Sequence, residues 1–147
     1  MREIRVLPDG DALASMAANT ILELSKKAIQ ETGRFTIALS GGSTPKALFV
    51  RLAAQYSQAI DWNRTFVFWG DERCVPPDDA DSNYKMAQDA LLNHVPLPAS
   101  NIYRIKSELP PEDTASQYEE ALHKFFHEQL PNLDLILLGM GDDGHTA

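Results

Sequence analysis

The stretch RFTIALSGGSTPKALFVRLAAQY, residues 34–56, contains one complete strand–turn–helix unit. Residues 34–40 are short, apolar and rich in β-forming side chains, which predicts a strand buried on both faces. A pair of glycines follows, and the segment STPKALFVRLAAQY, residues 43–56, then has the apolar periodicity of a helix. Thr44 is predicted to cap this helix, because Pro45 then lies in its first turn.

Similar segments extend along the chain on both sides of this unit. Apolar periodicity and apolar runs predict helices over 11–32, 83–93 and 112–129, buried strands over 65–69 and 133–139, and a short strand at 101–105. Ser82 is predicted to cap the helix at 83–93. Because apolar strands that alternate with amphipathic helices form parallel sheets, the predicted fold class is α/β, with a mostly parallel sheet and helices on both faces. No domain boundary is evident, so residues 1–147 are predicted to form a single domain.

The composition limits the classes of function. The chain has a net charge of −8, which disfavours sequence-independent nucleic-acid binding, because such binding needs clustered Lys and Arg. The single cysteine, Cys74, excludes an intrachain disulfide and favours a reducing compartment. The N-terminal residues lack the apolar core of a signal peptide, and no apolar run approaches the ~20 residues of a membrane helix. We therefore expect a cytoplasmic protein, most simply a monomer, with a small-molecule ligand and without a nucleic-acid or membrane partner.

Glycine-containing loops follow the main predicted strands. They are SGGSTPK at 40–46, GDERCVPP at 70–77 and GMGDDGHTA at 139–147. In open α/β sheets, ligands bind beyond the carboxyl ends of the strands. Because parallel strands place such loops along one edge of the sheet, the three loops are predicted to form one site.

The first loop has the features of an anion site. Gly41 and Gly42 allow the backbone to approach a ligand closely. Ser43 and Thr44 supply hydroxyl donors, and the following helix presents unpaired N–H groups at the positive end of its dipole. This combination predicts phosphate binding, while an ordinary strand-to-helix turn is the alternative. The loop is not a Walker A motif, because its glycine spacing differs.

The second loop contributes charged side chains. Arg73 is predicted to bind a phosphate or a hydroxyl group, because its rigid donor fork suits oxyanions. Asp71 and Glu72 are predicted to orient sugar hydroxyls or neighbouring side chains, and a solvated charged turn is the alternative. Cys74 is interpreted as a packing residue, since no adjacent histidine or helix start indicates a reactive thiolate.

The third loop holds the candidate for proton transfer. Histidine exchanges protons near neutral pH, and His145 beside a carboxylate such as Asp143 is a candidate general base. The alternative is a histidine that only hydrogen-bonds the loop backbone. Asp142 and Asp143 lack the spacing of a calcium-binding loop, so no metal site is predicted.

Taken together and in this order, the three loops resemble the 6-phosphogluconolactonase family. The matching segments are ALSGGSTPKALF, VFWGDERCVPPDDADSNYKMA and LDLILLGMGDDGHTA. The related glucosamine-6-phosphate deaminases share a glycine-rich first loop and an Asp-Gly-His loop, but they typically carry Asp-Glu-Tyr in the middle loop. Arg73 in place of that tyrosine, with Val75 and Pro76 after it, favours the lactonases.

This resemblance implies a Rossmann-like fold of the sugar-phosphate isomerase type. It also implies hydrolysis of 6-phospho-D-glucono-1,5-lactone to 6-phosphogluconate in the oxidative pentose phosphate pathway, with no cofactor and no metal. His145 matches the family's catalytic histidine. The positions that match phosphate and substrate binding are Gly41, Gly42, Ser43 and Arg73.

A deaminase or isomerase of amino-sugar phosphates and a non-enzymatic sugar-phosphate sensor are the alternative functions on this fold. The sequence departs from the family pattern at its end, because family members continue well past the Gly-His-Thr-Ala segment that closes this chain. The resemblance therefore implies the N-terminal part of a longer lactonase domain, apparently truncated at the C-terminus. We expect such a fragment to be poorly active alone, because the loop that carries His145 would lack packing partners.

Overall fold

The computed structural model describes residues 3–146. Within that range the chain forms, in order, α1 (Gly10–Thr32), β1 (Phe35–Leu39), α2 (Ser43–Gln55), β2 (Thr65–Trp69), α3 (Asn83–Ala90), α4 (Pro111–Phe125) and β3 (Leu135–Ile136). Short 3-10 helices lie in the connections, at Trp62–Arg64, Leu92–His94 and Ala99–Asn101. The predictions for α1, β1, α2 and β2 are confirmed to within one residue at each end.

Among the described residues, the strands form one parallel sheet with the order β2–β1–β3. β1 pairs with β2 along its whole length, from Phe35 opposite Thr65 to Leu39 opposite Trp69, and it pairs with β3 on its other side. All three strands run in the same direction, so the loops that follow them leave from the same edge. The predicted α/β fold with a mostly parallel sheet is confirmed.

Helices cover both faces of the sheet, as predicted. Every residue of β1 is buried, because this strand is central and has a helical layer on each side. Phe35 and Ile37 belong to the cluster beneath α1, α2 and α3, whereas Ala38 and Phe68 pack with Phe126 at the end of α4. No helix among residues 3–146 combines the length and the apolar character that crossing a membrane requires.

The predicted capping residue is correct for α3 and wrong for α2. Ser82 caps α3 as predicted, because its side chain accepts a hydrogen bond from the amide of Lys85 at 3.1 Å. The prediction that Thr44 caps α2 is wrong. The cap position is taken by Gly42, whose lack of a polar side chain leaves α2 without a side-chain cap, and Thr44 lies inside the first turn.

Two predicted helix ends and one predicted strand also differ from the structure. α3 ends at Ala90, before the predicted end at 93, because a 3-10 turn follows. α4 ends at Phe125 although its apolar pattern predicts a helix to 129, since His127 and Glu128 have φ angles of 54° and 61°, outside the right-handed helical region. The predicted strand at 101–105 makes only an isolated parallel bridge, between Ile102 and Val67.

β3 is shorter and more exposed than the buried strand predicted over 133–139. Only Leu135 and Ile136 form ladder pairs, and Ile136 and Leu138 are 51% and 62% exposed. β3 is an edge strand in the described part of the chain, so it pairs on one side only. Its start is held firmly, because Asp134 Oδ2 accepts hydrogen bonds from the amide and the hydroxyl of Thr36, both at 2.7 Å.

Candidate active site

The loops after β1, β2 and β3 surround a hollow of about 210 Å³ at the carboxyl edge of the sheet. The predicted site residues in its wall are Gly41, Gly42, Asp71, Arg73 and His145. Ser40, Gly70 and the segment 137–141 complete the lining. The parallel strand order therefore brings the three loops together, as predicted.

A second hollow of about 530 Å³ adjoins the first, because Gly42 and Arg73 line both. Ser43, Lys46 and Asp81 also lie in its wall. Two cationic side chains, Arg73 and Lys46, thus flank the start of α2. Lys46 was not predicted from the sequence, although its place one turn after the glycine pair was the available signal.

The start of α2 contributes Gly42 and Ser43 to the wall of this second hollow. Gly42 has φ 103° and ψ 169°, a conformation that favours glycine, and it offers no side chain to the N–H groups of the helix. These N–H groups carry the positive end of the helix dipole. Thr44 is exposed and lies in neither wall, so the structure does not place it with the other predicted ligand-binding residues.

Glu72 is also absent from both walls, and its carboxylate is occupied within the protein. Oε1 accepts from the amides of Arg73 and Asn83, each at 2.7 Å. Oε2 accepts from the amide of Tyr84 at 2.9 Å and from the hydroxyl of Ser82 at 3.1 Å. These contacts favour the alternative role of Glu72 in orienting neighbouring groups, and its contact with sugar hydroxyls stays a prediction.

Asn83 connects the first loop with the second. Its buried side chain donates from Nδ2 to the carbonyl oxygen of Asp71 at 3.2 Å. Its Oδ1 occupies space beside Gly41, where an added Cβ would lie only 2.0 Å away. The absence of a Cβ at Gly41 therefore allows Asn83 to pack directly against the first loop. Asn83 was not predicted as a site residue, although it lies directly after Ser82 in the middle segment that matches the lactonases.

Asp143 orients His145 at the mouth of the first hollow. His145 Nδ1 contacts Asp143 Oδ1, and the His145 amide donates to the same oxygen at 3.2 Å. The hydrogen bond from the imidazole holds the pKa of the Asp143 carboxyl below its usual range. With Nδ1 as the donor to this carboxylate, Nε2 is the nitrogen that remains free to accept a proton.

Glycine closes the loop that carries this pair. The Gly141 amide donates to the carbonyl oxygen of His145 at 2.9 Å, and the Gly144 amide donates to that of Gly141, also at 2.9 Å. A Cβ on Gly141 would lie 2.4 Å from Cε1 of His145, so the imidazole folds directly over the glycine backbone. Gly144 has φ 85°, which a glycine adopts without strain.

The disposition of candidate metal ligands bears on the prediction that no metal site is present. Within residues 3–146, no group of three or more His, Cys, Asp or Glu side chains is disposed to hold a metal ion. The independence of the chain from a metal and a cofactor remains a prediction from the sequence.

The family model and the curated relatives that match this chain carry the same family name. The family model described as "Glucosamine-6-phosphate isomerases/6-phosphogluconolactonase" matches residues 8–147. The chain is 47% identical over 150 residues to a 6-phosphogluconolactonase from Nostoc sp., covering 99% of this chain and 61% of the relative. It is also 47% identical over 144 residues to a probable chloroplastic 6-phosphogluconolactonase from Oryza sativa subsp. indica, covering 92% and 44%. The chain thus spans less than two thirds of either relative.

Solved structures agree with this assignment. The 6-phosphogluconolactonase from Trypanosoma cruzi superimposes with a TM-score of 0.88 at 32% identity, covering 100% of this chain and 61% of that one. The enzyme of the same name from Thermotoga maritima gives 0.86 at 31% identity, covering 97% and 62%. A monomeric glucosamine-6-phosphate deaminase gives 0.81 at 19% identity, which shows a shared fold alone. The predicted fold of the sugar-phosphate isomerase type is confirmed.

Proposed function

The chain belongs to the family of glucosamine-6-phosphate isomerases and 6-phosphogluconolactonases, and from this premise we propose that it hydrolyses 6-phospho-D-glucono-1,5-lactone to 6-phosphogluconate, a step of the oxidative pentose phosphate pathway. The names of the relatives that are 47% identical support this reaction. The observation that carries the proposal is the shared hollow, in which His145 lies with Gly41, Gly42 and Arg73. We also propose that residues 1–147 belong to one α/β domain, since the strands join a single sheet.

The phosphate of the substrate is assigned to the second hollow. Arg73 and Lys46 supply positive charge there, and the first turn of α2 supplies N–H donors beside Gly42 and Ser43. Because Gly42 and Arg73 also border the first hollow, a phosphate held between them directs the sugar ring toward His145. Asp71, in the wall of the first hollow, is the candidate acceptor for a sugar hydroxyl.

The reaction requires a base and an oriented water molecule. A lactone carbonyl is already electrophilic, so water attacks C1 while Nε2 of His145 accepts a proton from it. The bond between C1 and the ring oxygen then breaks, and the imidazolium returns the proton to that oxygen. Asp143 holds the imidazole through Nδ1 and stabilises its positive charge in the intermediate. Anchoring the distant phosphate contributes through orientation, which is a large term in the rate.

A lactone-hydrolysis assay on the intact protein and its His145→Ala variant tests the proposal. Acid release is followed with a pH indicator, and spontaneous opening of the lactone is subtracted. We expect His145→Ala to lower kcat by about 10²–10⁴, the usual contribution of a general base. His94→Ala is the matched control, because His94 lies in neither hollow and its Nε2 contacts the carbonyl oxygen of Asp89 at 2.8 Å.

Four outcomes would contradict the assignment or the role of His145. Turnover by the intact wild type no faster than the spontaneous reaction would exclude the lactonase, and an intact His145→Ala variant with an unchanged rate would exclude His145 as the base. Ammonia release from glucosamine 6-phosphate would identify a deaminase. Tight binding of 6-phosphogluconate without turnover, unchanged in His145→Ala, would identify a sensor.

A further inference from the structure

The carboxylate of Glu72 joins the second loop to the start of α3. It accepts the amides of the first two residues of the helix, Asn83 and Tyr84, while Ser82 accepts the amide of Lys85. A negative charge at this end of a helix is favourable, because it opposes the positive end of the dipole. The first three amides of α3 are thereby satisfied, two of them by a residue outside the helix.

Helix capping does not account for all of these contacts. Oε1 of Glu72 also accepts the amide of Arg73 at 2.7 Å, so one oxygen holds both the helix and the backbone of a residue in the ligand hollow. The first residue of the same helix, Asn83, then contacts both the second loop and the first. Its side chain donates to the carbonyl oxygen of Asp71 and packs against Gly41.

These contacts form a continuous connection across the hollow. It begins at the Arg73 backbone, passes through Glu72 and Asn83, and ends at Gly41. Arg73 and the Gly41–Gly42 turn are the two sides between which the proposed phosphate lies, so their separation decides whether both can contact it at once.

We propose that Glu72 is a positioning residue that sets the separation between Arg73 and the Gly41–Gly42 turn, and thereby the affinity for a phosphorylated sugar. The inference rests on the proposed function for the identity of that ligand. Glu72 itself does not touch the ligand in this assignment, because its four acceptor contacts are all made within the protein.

The test compares Glu72→Gln with Asp9→Ala. Glutamine keeps the length of the side chain but replaces one acceptor oxygen by an NH₂ group that faces N–H donors. Asp9→Ala removes a different carboxylate cap, because Asp9 Oδ1 accepts the amide of Ala12 at 2.8 Å at the start of α1, and Asp9 lies in neither hollow. For each protein the melting temperature, KM, kcat, the Kd for 6-phosphogluconate and the amide resonances of Gly41 and Gly42 are measured.

We expect both variants to lower the melting temperature, and only Glu72→Gln to change the binding site. KM and Kd should rise about tenfold, because misplacement of a positioning group by a fraction of an ångström costs of this order. kcat should fall by a smaller factor than Kd rises, since the weakened phosphate contacts are present in both the ground state and the transition state, and only their part in orienting C1 toward His145 affects the rate. The resonances of Gly41 and Gly42 should shift in Glu72→Gln and stay in place in Asp9→Ala.

Equal losses of stability in the two variants, with KM, Kd and the glycine resonances unchanged in Glu72→Gln, would overturn the inference and leave Glu72 as a helix cap alone. If Glu72→Gln does not fold, Glu72→Asp replaces it, with a smaller rise in Kd expected and an unchanged Kd as the contrary result. A wild-type protein that binds 6-phosphogluconate without hydrolysing the lactone would refute the proposed reaction, yet a weaker Kd in Glu72→Gln would still support the positioning role. Absence of any binding by the wild type would overturn both.

Discussion

Replacement of Gly41 by alanine tests the contact between the first loop and Asn83. A Cβ on Gly41 would lie 2.0 Å from Oδ1 and 2.7 Å from Cγ of Asn83, far inside contact distance. Asn83 has little room to move, because it is 5% exposed and its Nδ2 is bonded to the carbonyl oxygen of Asp71. Gly41→Ala must therefore displace this side chain and break its hydrogen bond.

The expected cost follows from three contributions. Overpacking of a close-packed site costs about 1–3 kcal/mol. The broken hydrogen bond of Asn83 adds about 0.5–1.5 kcal/mol. Alanine also restricts the unfolded chain, which stabilises the protein by about 0.4–1 kcal/mol, because Gly41 is not among the glycines with positive φ. The free energy of unfolding should fall by about 2 kcal/mol in Gly41→Ala.

Truncation of Asn83 should reverse the sign of this effect. In an Asn83→Ala background the clashing atoms Oδ1, Cγ and Nδ2 are gone, so Gly41→Ala should be neutral or stabilising by up to about 1 kcal/mol. The coupling energy between the two substitutions is then about 2–3 kcal/mol. Gly10→Ala is the control, because a Cβ there would meet nothing within 4 Å, and it should have the same small effect in both backgrounds.

Urea unfolding followed by circular dichroism measures the four proteins of this cycle and the two control variants. Costs of Gly41→Ala and Asn83→Ala that add to within about 0.5 kcal/mol would refute the reasoning. So would a Gly41→Ala variant as stable as the wild type, because the loop would then move away from Asn83 at no cost.

Asp143→Asn should lower kcat by at least about tenfold, because the imidazole of His145 loses its charged acceptor. Since the hydrogen bond from His145 holds the pKa of Asp143 below its usual range, the carboxyl-carbon NMR resonance of Asp143 should still report the ionised form at the usual Asp pKa of about 3.9, and a midpoint at or above that pH would contradict this. Asp134→Ala should lower the free energy of unfolding by about 1–3 kcal/mol, because the amide and hydroxyl of Thr36 lose their acceptor. It should also accelerate hydrogen exchange of the Leu137 amide, which donates to the carbonyl oxygen of Ala38, and unchanged exchange would contradict the role of Asp134 in holding β3. Burial raises the pKa of Tyr118 to about 12. The free energy of unfolding of the wild type should therefore be constant below the usual tyrosine pKa of about 10 and should fall as the pH rises from there toward 12. Urea unfolding at several pH values should show no such fall from this position in Tyr118→Phe.

Local sequence patterns predicted most of the secondary structure and most of the polar and glycine residues that line the first hollow. β1 and β2 are short apolar runs that a two-sided helical layer buries, so composition alone indicates them. The polar and glycine residues after them must lie at one edge once the strands are parallel. The boundaries that failed, at the end of α4 and along β3, depend on backbone geometry at His127 and on the absence of a second ladder for an edge strand among the described residues.

Some features of the site could be predicted from the sequence, and others depend on the tertiary structure. The sequence by itself determined that His145, Arg73 and the glycine pair would reach one hollow, because strand direction and loop position are properties of the local pattern. Only the tertiary structure decided that Glu72 turns away from this hollow and that Lys46 lines the hollow beside it. The physical reason is that a carboxylate binds whichever N–H donors lie nearest in space, and those of Asn83 and Tyr84 come from a helix that begins after a long loop.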